Sequence, residues 1–208
     1  MGIGRATTGS IGVKMKKLSI LLLVVFLGGC SIATSLKEAY APKTADYVYS
    51  HAKVEEDKFY KSTKVIFPGY NLRHFTNYKK VTGRSNWDAP DTGIKPVAMY
   101  NDKSCIVYLY FNMNLDDWAF YSSARDENGR VLKFTKHDEK VNSGDKYTNV
   151  SVGEVFSIDL PNNFLTENQG KNPQIQVQGK RDNFRVFLPD YYIDGMLKYF
   201  ADNNLNCK

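Results

Sequence analysis

Residues 105–111 read C-I-V-Y-L-Y-F, and this stretch decides the fold. β-Branched and aromatic residues favour a strand. Because the run is apolar or aromatic on both of its faces, we expect a central strand of the sheet that is covered on both sides.

Shorter strand patterns lie on both sides of this run. Residues 118–121 and 131–134 flank a turn at 126–129 that contains Asn128-Gly129, which predicts a β-hairpin. Further strands are predicted from the apolar or alternating runs at 64–67, 154–160, 174–178 and 184–188, with a turn at 179–183. Gly83, Pro90, Gly93 and Pro96 predict a long loop over residues 76–96. These spacings favour antiparallel pairing over alternating βα units.

The chain closes with a helical pattern. Asp190 is the predicted N-cap, and apolar residues then recur with the period of one helix face: Ile193, Met196, Leu197, Phe200 and Ala201. Gly195 weakens this helix by about 1 kcal/mol relative to alanine, so packing must hold it. The predicted fold class is mainly β: an antiparallel sandwich with a C-terminal α-helix.

The N-terminal region has the pattern of an export signal. Residues 18–27 are apolar but reach only about half of the ~30 Å hydrocarbon core, which is too short for a spanning helix. Lys16-Lys17 precede the run and Gly28-Gly29 follow it, an arrangement typical of a secretory signal peptide. The signal is complete from Met15 onward, so we expect Met15 rather than Met1 to be the start.

Leu27-Gly28-Gly29-Cys30 resembles the lipobox of bacterial lipoproteins. The resemblance implies a diacylglycerol on the Cys30 sulfur, cleavage before Cys30 and acylation of the new amino group. Ser31 after the cysteine implies export to the outer membrane, on its periplasmic face. The alternative is an ordinary signal peptide that happens to end in cysteine.

Three regions follow from these patterns: a signal peptide over residues 1–29, the lipidated cysteine with a tether over 30–60, and a β-rich domain with its helix over 61–208. The aromatic pattern from Trp118 to Phe134, together with residues 188–197 (L-P-D-Y-Y-I-D-G-M-L), is similar to uncharacterised proteobacterial lipoproteins. That resemblance implies no known activity.

The positive charge belongs mostly to the signal. The chain has 28 basic and 22 acidic residues and a net charge of +6. The leader carries four of the basic residues and no acid, so the region after cleavage has 24 basic and 22 acidic residues. Its charges are interspersed, whereas nucleic-acid binders concentrate basic residues on one element. We therefore expect no nucleic-acid partner.

Two cysteines remain once Cys30 carries lipid. Cys105 and Cys207 form an even pair in an oxidising compartment, which favours a disulfide that closes a loop of about 100 residues. The alternative is two free thiols, with Cys105 buried in a strand and Cys207 at a frayed terminus.

The sequence contains no complete catalytic motif. Residues 50–53 match S-x-x-K, but the companion motifs of penicillin-recognising enzymes are absent, so chance explains the match. His51, His74 and His137 are isolated, and alternation along a strand should separate His137 from Asp138, so we expect no metal and no cofactor.

Aromatic residues outside the strand patterns are the other candidates for a site. Tyr70, Phe75, Tyr78 and Trp87 lie among Arg73, Lys79, Lys80 and Arg84. Either they form a recognition surface for a protein or glycan, or they fold back to cap the core.

We expect a non-enzymatic, membrane-anchored binding or accessory component of the cell envelope. The alternative is an envelope hydrolase that acts on glycan, peptide or lipid.

Overall fold

Strands dominate the computed structural model, which describes residues 44–58, 61–71, 91–101, 104–142 and 150–207. Three helices and ten strands lie in these residues. In chain order they are α1 (Ala45–Ser50), β1 (Lys53–Asp57), β2 (Ser62–Ile66), β3 (Tyr70–Asn71), β4 (Asp91–Tyr100), β5 (Cys105–Leu115), β6 (Tyr121–Asp126), β7 (Val131–Asn142), β8 (Ser151–Leu160), α2 (Phe164–Glu167), β9 (Gln174–Gly179), β10 (Asn183–Phe187) and α3 (Asp190–Asp202).

One antiparallel sheet contains all ten of these strands and folds over itself. The strand order is β1-β2-β4-β5-β8-β7-β6-β9-β10, and β3 pairs with β4. In a flat sheet, β5 and β10 would be about 24 Å apart, at ~4.8 Å per strand. The ring centroids of Phe111 on β5 and Phe184 on β10 are instead 6.2 Å apart. The predicted class, mainly β with antiparallel strands and a C-terminal helix, is confirmed, and its two layers belong to one curled sheet.

Strand β5 is central, as predicted, but only one of its faces is fully covered. Val107, Leu109, Phe111 and Met113 point into the core. On the opposite face Ile106 is 38% exposed, and its β4 partner Met99 is 40% exposed. The prediction of cover on both faces is therefore wrong for the described part of the chain, because the sheet packs against the core on one side only.

The predicted loop over residues 76–96 extends too far. Residues 72–90 lie outside the described residues, but β4 begins at Asp91 and contains both Gly93 and Pro96. Pro96 on β4 faces the segment between the end of β2 and the start of β3. Its carbonyl accepts a hydrogen bond from Phe67 N at 3.0 Å. A proline fits this interruption of the ladder, because a donor is lost where pairing is already broken.

The folded domain starts earlier than the predicted boundary at residue 61. Residues 45–57, assigned by the sequence to the tether, form α1 and β1. Val48 of α1 is fully buried, and β1 pairs with β2 over five residues. β1 forms one edge of the sheet, and all of its side chains are exposed.

Helix α3 packs on α1 through its glycine. Ile193, Met196 and Phe200 are buried as predicted. Ala201, which was also predicted to be buried, is exposed, whereas Tyr192 is buried without having been predicted. A Cβ on Gly195 would lie 2.7 Å from Ala45 O. The glycine therefore permits a close approach of two backbones, which offsets its low helix propensity. Pro189, not Asp190, occupies the N-cap position.

A disulfide joins Cys105 at the start of β5 to Cys207 after α3. Their Cα atoms are 5.1 Å apart, within the range for disulfides. The bridge predicted from the cysteine count is therefore present in the structure. No helix in the described residues has the length and apolar character needed to cross a membrane.

Candidate functional site

A buried carboxylate organises the segment between β5 and β6. Glu154 on β8 is only 1% exposed. Its Oε1 accepts hydrogen bonds from the backbone N–H groups of Ala119 and Phe120, both at 2.8 Å, and its Oε2 accepts one from Tyr121 N at 2.9 Å. Three consecutive backbone donors thus converge on one side chain, which fixes the conformation of the loop.

Phe120 has a backbone conformation that bulky residues avoid. Its φ of +55° lies in the left-handed region, where a non-glycine residue costs on the order of 1–3 kcal/mol and persists only if its surroundings determine it. The Glu154 carboxylate holds Phe120 in this conformation, because it accepts hydrogen bonds from the N–H groups of Phe120 and of both its neighbours.

The turn between β9 and β10 supports the same loop from the other side. Arg181 N donates to Ala119 O at 3.1 Å, and Lys180 N donates to Phe120 O at 3.3 Å. Tyr121 Oη donates to Asp182 Oδ2 at 2.9 Å. Burial raises the pKa of the Tyr121 phenol and the Asp182 charge raises it further, so the phenol keeps its proton and remains the donor.

This support requires a glycine at position 179. A Cβ there would lie 2.5 Å from Ala119 O and 2.9 Å from Asp182 O, and both contacts are to backbone. We expect Gly179→Ala to lower the free energy of unfolding by about 1–3 kcal/mol, since the loop and the turn must move apart. Urea unfolding measures the effect.

Gly93→Ala is the matched control for Gly179→Ala, since its Cβ would meet nothing nearer than 4.0 Å. It should change the stability by no more than about 0.5 kcal/mol. Equal effects of the two substitutions would contradict the close approach at Gly179.

The strained loop presents aromatic side chains at the surface. Trp118 and Phe120 are partly exposed, and their rings stack with centroids 6.0 Å apart. The Arg181 guanidinium lies 5.4 Å from the Phe120 centroid and forms an ion pair with Asp117 at 2.9 Å. We call these four residues the Trp118 platform. It combines two rings, a cation and an anion on a fixed backbone.

The sequence interpretation missed this platform because it assigned residues 118–121 to a strand of the predicted hairpin. The hairpin itself is confirmed by the pairing of β6 with β7, but β6 begins only at Tyr121. Asp116-Asp117 directly before the tryptophan was the available signal, since paired acids favour a turn there.

A second polar cluster lies on the face of the sheet opposite the core. His137 Nε2 is 2.9 Å from Ser157 Oγ, and the His137 ring stacks with Tyr110. The register shift between Lys136 and Asp138 interrupts the alternation expected around His137. Serine hydrolysis also needs a group that orients the histidine and a pair of free backbone N–H donors. Ser157 lies within the ladder between β5 and β7, so the N–H groups around it serve strand pairing.

The other candidates from the sequence are not brought together. Ser50 ends α1 and donates to Asp46 O, whereas Lys53 begins an exposed strand, so the S-x-x-K spacing makes no helical turn. Tyr70 is buried, and its hydroxyl donates to Phe187 O at 3.1 Å. Of the two alternatives for these aromatic residues, the second is therefore confirmed for Tyr70, which caps the core.

His74 and Cys30 lie outside the described residues. So do the remaining members of that predicted surface, which are Arg73, Phe75, Tyr78, Lys79, Lys80, Arg84 and Trp87. Within the described ranges, no three His, Cys, Asp or Glu side chains are grouped so that they could hold a metal.

No protein-family model, curated protein or solved structure matches the chain.

Proposed function

We propose that the protein is a non-enzymatic binding component of the bacterial cell envelope. In this proposal a lipid on Cys30 holds it at the periplasmic face of the outer membrane, and the Trp118 platform captures an envelope partner. The lipobox-like sequence before Cys30 supports the anchor.

The left-handed backbone of Phe120 is the observation that carries the binding proposal. A buried carboxylate, a required glycine and a strained residue together keep an aromatic side chain partly exposed. A loop that served only to connect β5 with β6 would relieve this strain with glycine at position 120. Aromatic and arginine side chains on rigid backbone are typical of the residues that dominate binding interfaces.

Crosslinking in intact cells tests the proposal. A photoreactive residue in place of the exposed Asp116, beside the platform, should give one discrete adduct with an envelope component. The same residue in place of Val54, on the edge strand β1, is the control and should not give this adduct. Equal adduct patterns at the two positions would contradict a binding role for the platform.

Two further substitutions separate binding from folding. Trp118→Ala and Phe120→Gly should each reduce the adduct, and Phe120→Gly removes the ring while suiting the left-handed backbone. Loss of the adduct without loss of stability supports the proposal.

Intact mass measurement of the native protein tests the anchor separately, because an unmodified Cys30 would contradict it.

The hydrogen bond between Ser157 and His137 favours the second candidate, an envelope hydrolase. A hydrolase that uses this pair should be labelled at Ser157 by a serine-directed phosphonate, and Ser157→Ala should abolish the labelling. The binding proposal expects no such labelling.

A further inference from the structure

Strand β1 offers its backbone to a further strand. It lies at one end of the strand order among the described residues, where it pairs with β2 alone. This pairing runs from Lys53 to Asp57 without a register shift. A regular edge strand of this kind is the template that proteins use for binding an extended peptide.

The register shows which backbone groups of β1 point outward. Phe67 N donates to Pro96 O at 3.0 Å, which continues the pairing of β2 with β4. Residues of an antiparallel strand direct their N–H and C=O groups alternately to the neighbours on its two sides. Counting back from Phe67, the even-numbered residues of β2 bond β1, and their partners there are the odd-numbered residues. The N–H and C=O groups of Val54 and Glu56 therefore point away from β2.

These outward groups are accessible. All five side chains of β1 are exposed, and Val54 is 52% exposed. In the described part of the chain, neither Val54 nor Glu56 forms a hydrogen bond beyond the ladder with β2. At the other end of the strand order, the carbonyl of Phe187 on β10 already accepts a hydrogen bond from Tyr70 Oη. β1 is thus the more open of the two ends.

The charge of β1 indicates the kind of strand that fits. Glu55, Glu56 and Asp57 follow one another, so carboxylates lie on both faces of the edge. Glu55 is opposite Lys64 on β2, whereas Glu56 is opposite the neutral Thr63. Opposite charges on adjacent strands attract and like charges repel. An added strand with lysine or arginine opposite the acidic run is therefore favoured.

We propose that β1 binds an extended, basic segment of a partner protein, which joins the sheet as a further strand. Its backbone bonds Val54 and Glu56, and its basic side chains lie opposite the acidic run. The proposal goes beyond the function proposed above, because β1 contains no residue of the Trp118 platform and its binding does not depend on the anchor. A photoreactive residue at Val54 would capture this segment as an adduct different from the one at Asp116.

Titration of the full-length protein with a short peptide tests the proposal, with binding followed by NMR. The probe has central lysines flanked by valine and threonine. We expect saturable binding with a Kd on the order of 0.1–1 mM. Hydrogen exchange at the amides of Val54 and Glu56 should become slower, because their N–H groups gain acceptors. Absence of binding up to about 10 mM, or unchanged exchange at both amides, would overturn the proposal.

Two control peptides separate charge from strand addition. One has glutamate in place of each lysine. The other keeps the lysines but is N-methylated at alternate residues, so it has the same charge and cannot donate to the ladder. Each should bind at least about tenfold more weakly than the probe. Equal binding of either control and the probe would contradict a basic strand on this edge.

Variants then locate the site. Glu56→Lys should weaken binding of the probe about tenfold, because an attractive pair becomes repulsive. Glu127→Lys, in the exposed turn between β6 and β7, changes the net charge equally and should leave the affinity unchanged. Glu56→Pro removes an outward N–H that β2 does not use, so it should abolish binding and retain the fold. Binding that neither Glu56 variant alters would overturn the proposal, as would a dimer that Glu56→Pro dissociates, since the edge would then hold a second copy.

Discussion

Replacing Glu154 by alanine is expected to lower the free energy of unfolding by about 4 kcal/mol, since it leaves three backbone N–H groups without their shared acceptor. The donors are those of Ala119, Phe120 and Tyr121. Phe120 would also lose the partner that holds its left-handed conformation. Denaturant unfolding measures the loss.

Glu154→Gln gives a sharper version of this experiment. Glutamine retains the shape of the side chain and one acceptor oxygen, which can serve the two N–H groups that now bind Oε1. Its NH₂ group would face the N–H of Tyr121, donor against donor. We therefore expect a loss of about 2 kcal/mol, intermediate between wild type and Glu154→Ala.

Glu139→Gln is the matched control for the Glu154 variants. Glu139 is opposite Glu154 in the register of β7 with β8, but it is exposed, and its ion pair with Lys136 lies at the surface. Its substitution should cost no more than about 0.5 kcal/mol. A Glu154→Gln protein as stable as Glu139→Gln would contradict the anchoring role of the carboxylate.

Reduction of the disulfide is expected to produce the second large loss of stability. The bridge joins residues 102 positions apart. In the chain-entropy model such a loop contributes about 4.7 kcal/mol, and removal of native disulfides from small secreted domains costs about 2–5 kcal/mol. Denaturant unfolding with and without reductant measures the difference, and the Cys105→Ser, Cys207→Ser double variant should match the reduced protein.

Alkylation provides the accompanying control. The unfolded, unreduced protein should show no modification at Cys105 or Cys207, and both should become modified after reduction. Two reactive thiols before reduction, or an unchanged unfolding midpoint after it, would contradict a structural bridge.

Much of the fold follows from local patterns. The hairpin between β6 and β7 follows from Asn128-Gly129, and α3 follows from the spacing of Ile193, Met196 and Phe200. In each case the signal and the structure it specifies lie within one stretch of chain, so a period or a turn dipeptide is sufficient.

β4 was missed because Gly93 and Pro96 have the chemistry of a loop. Pro96 is compatible with the sheet only because the chain between β2 and β3 leaves the ladder beside it. That arrangement depends on a neighbouring strand pair, and no property of residues 91–100 alone reveals it.

The candidate site was predictable only in part, for a related reason. Glu154 appears in the sequence as one polar residue in an alternating strand, and its three partners lie 33–35 residues earlier in the chain. The left-handed backbone of Phe120 and the contact at Gly179 arise only when β8 and the turn after β9 meet the same loop. Tertiary contacts create this site, whereas the cysteine pair could be found by counting.

The exposed edge strand β1 has a consequence for how copies of this protein meet. Its acidic run Glu55-Glu56-Asp57 lies at one end of the strand order among the described residues, and the edge strand of a sheet is where another strand can join. In a symmetric antiparallel pairing of two such edges about Glu56, Glu56 would lie opposite Glu56 and Glu55 opposite Asp57, and like charges in these positions repel. The acidic run thus disfavours this register of edge-to-edge pairing, even where many copies are crowded together.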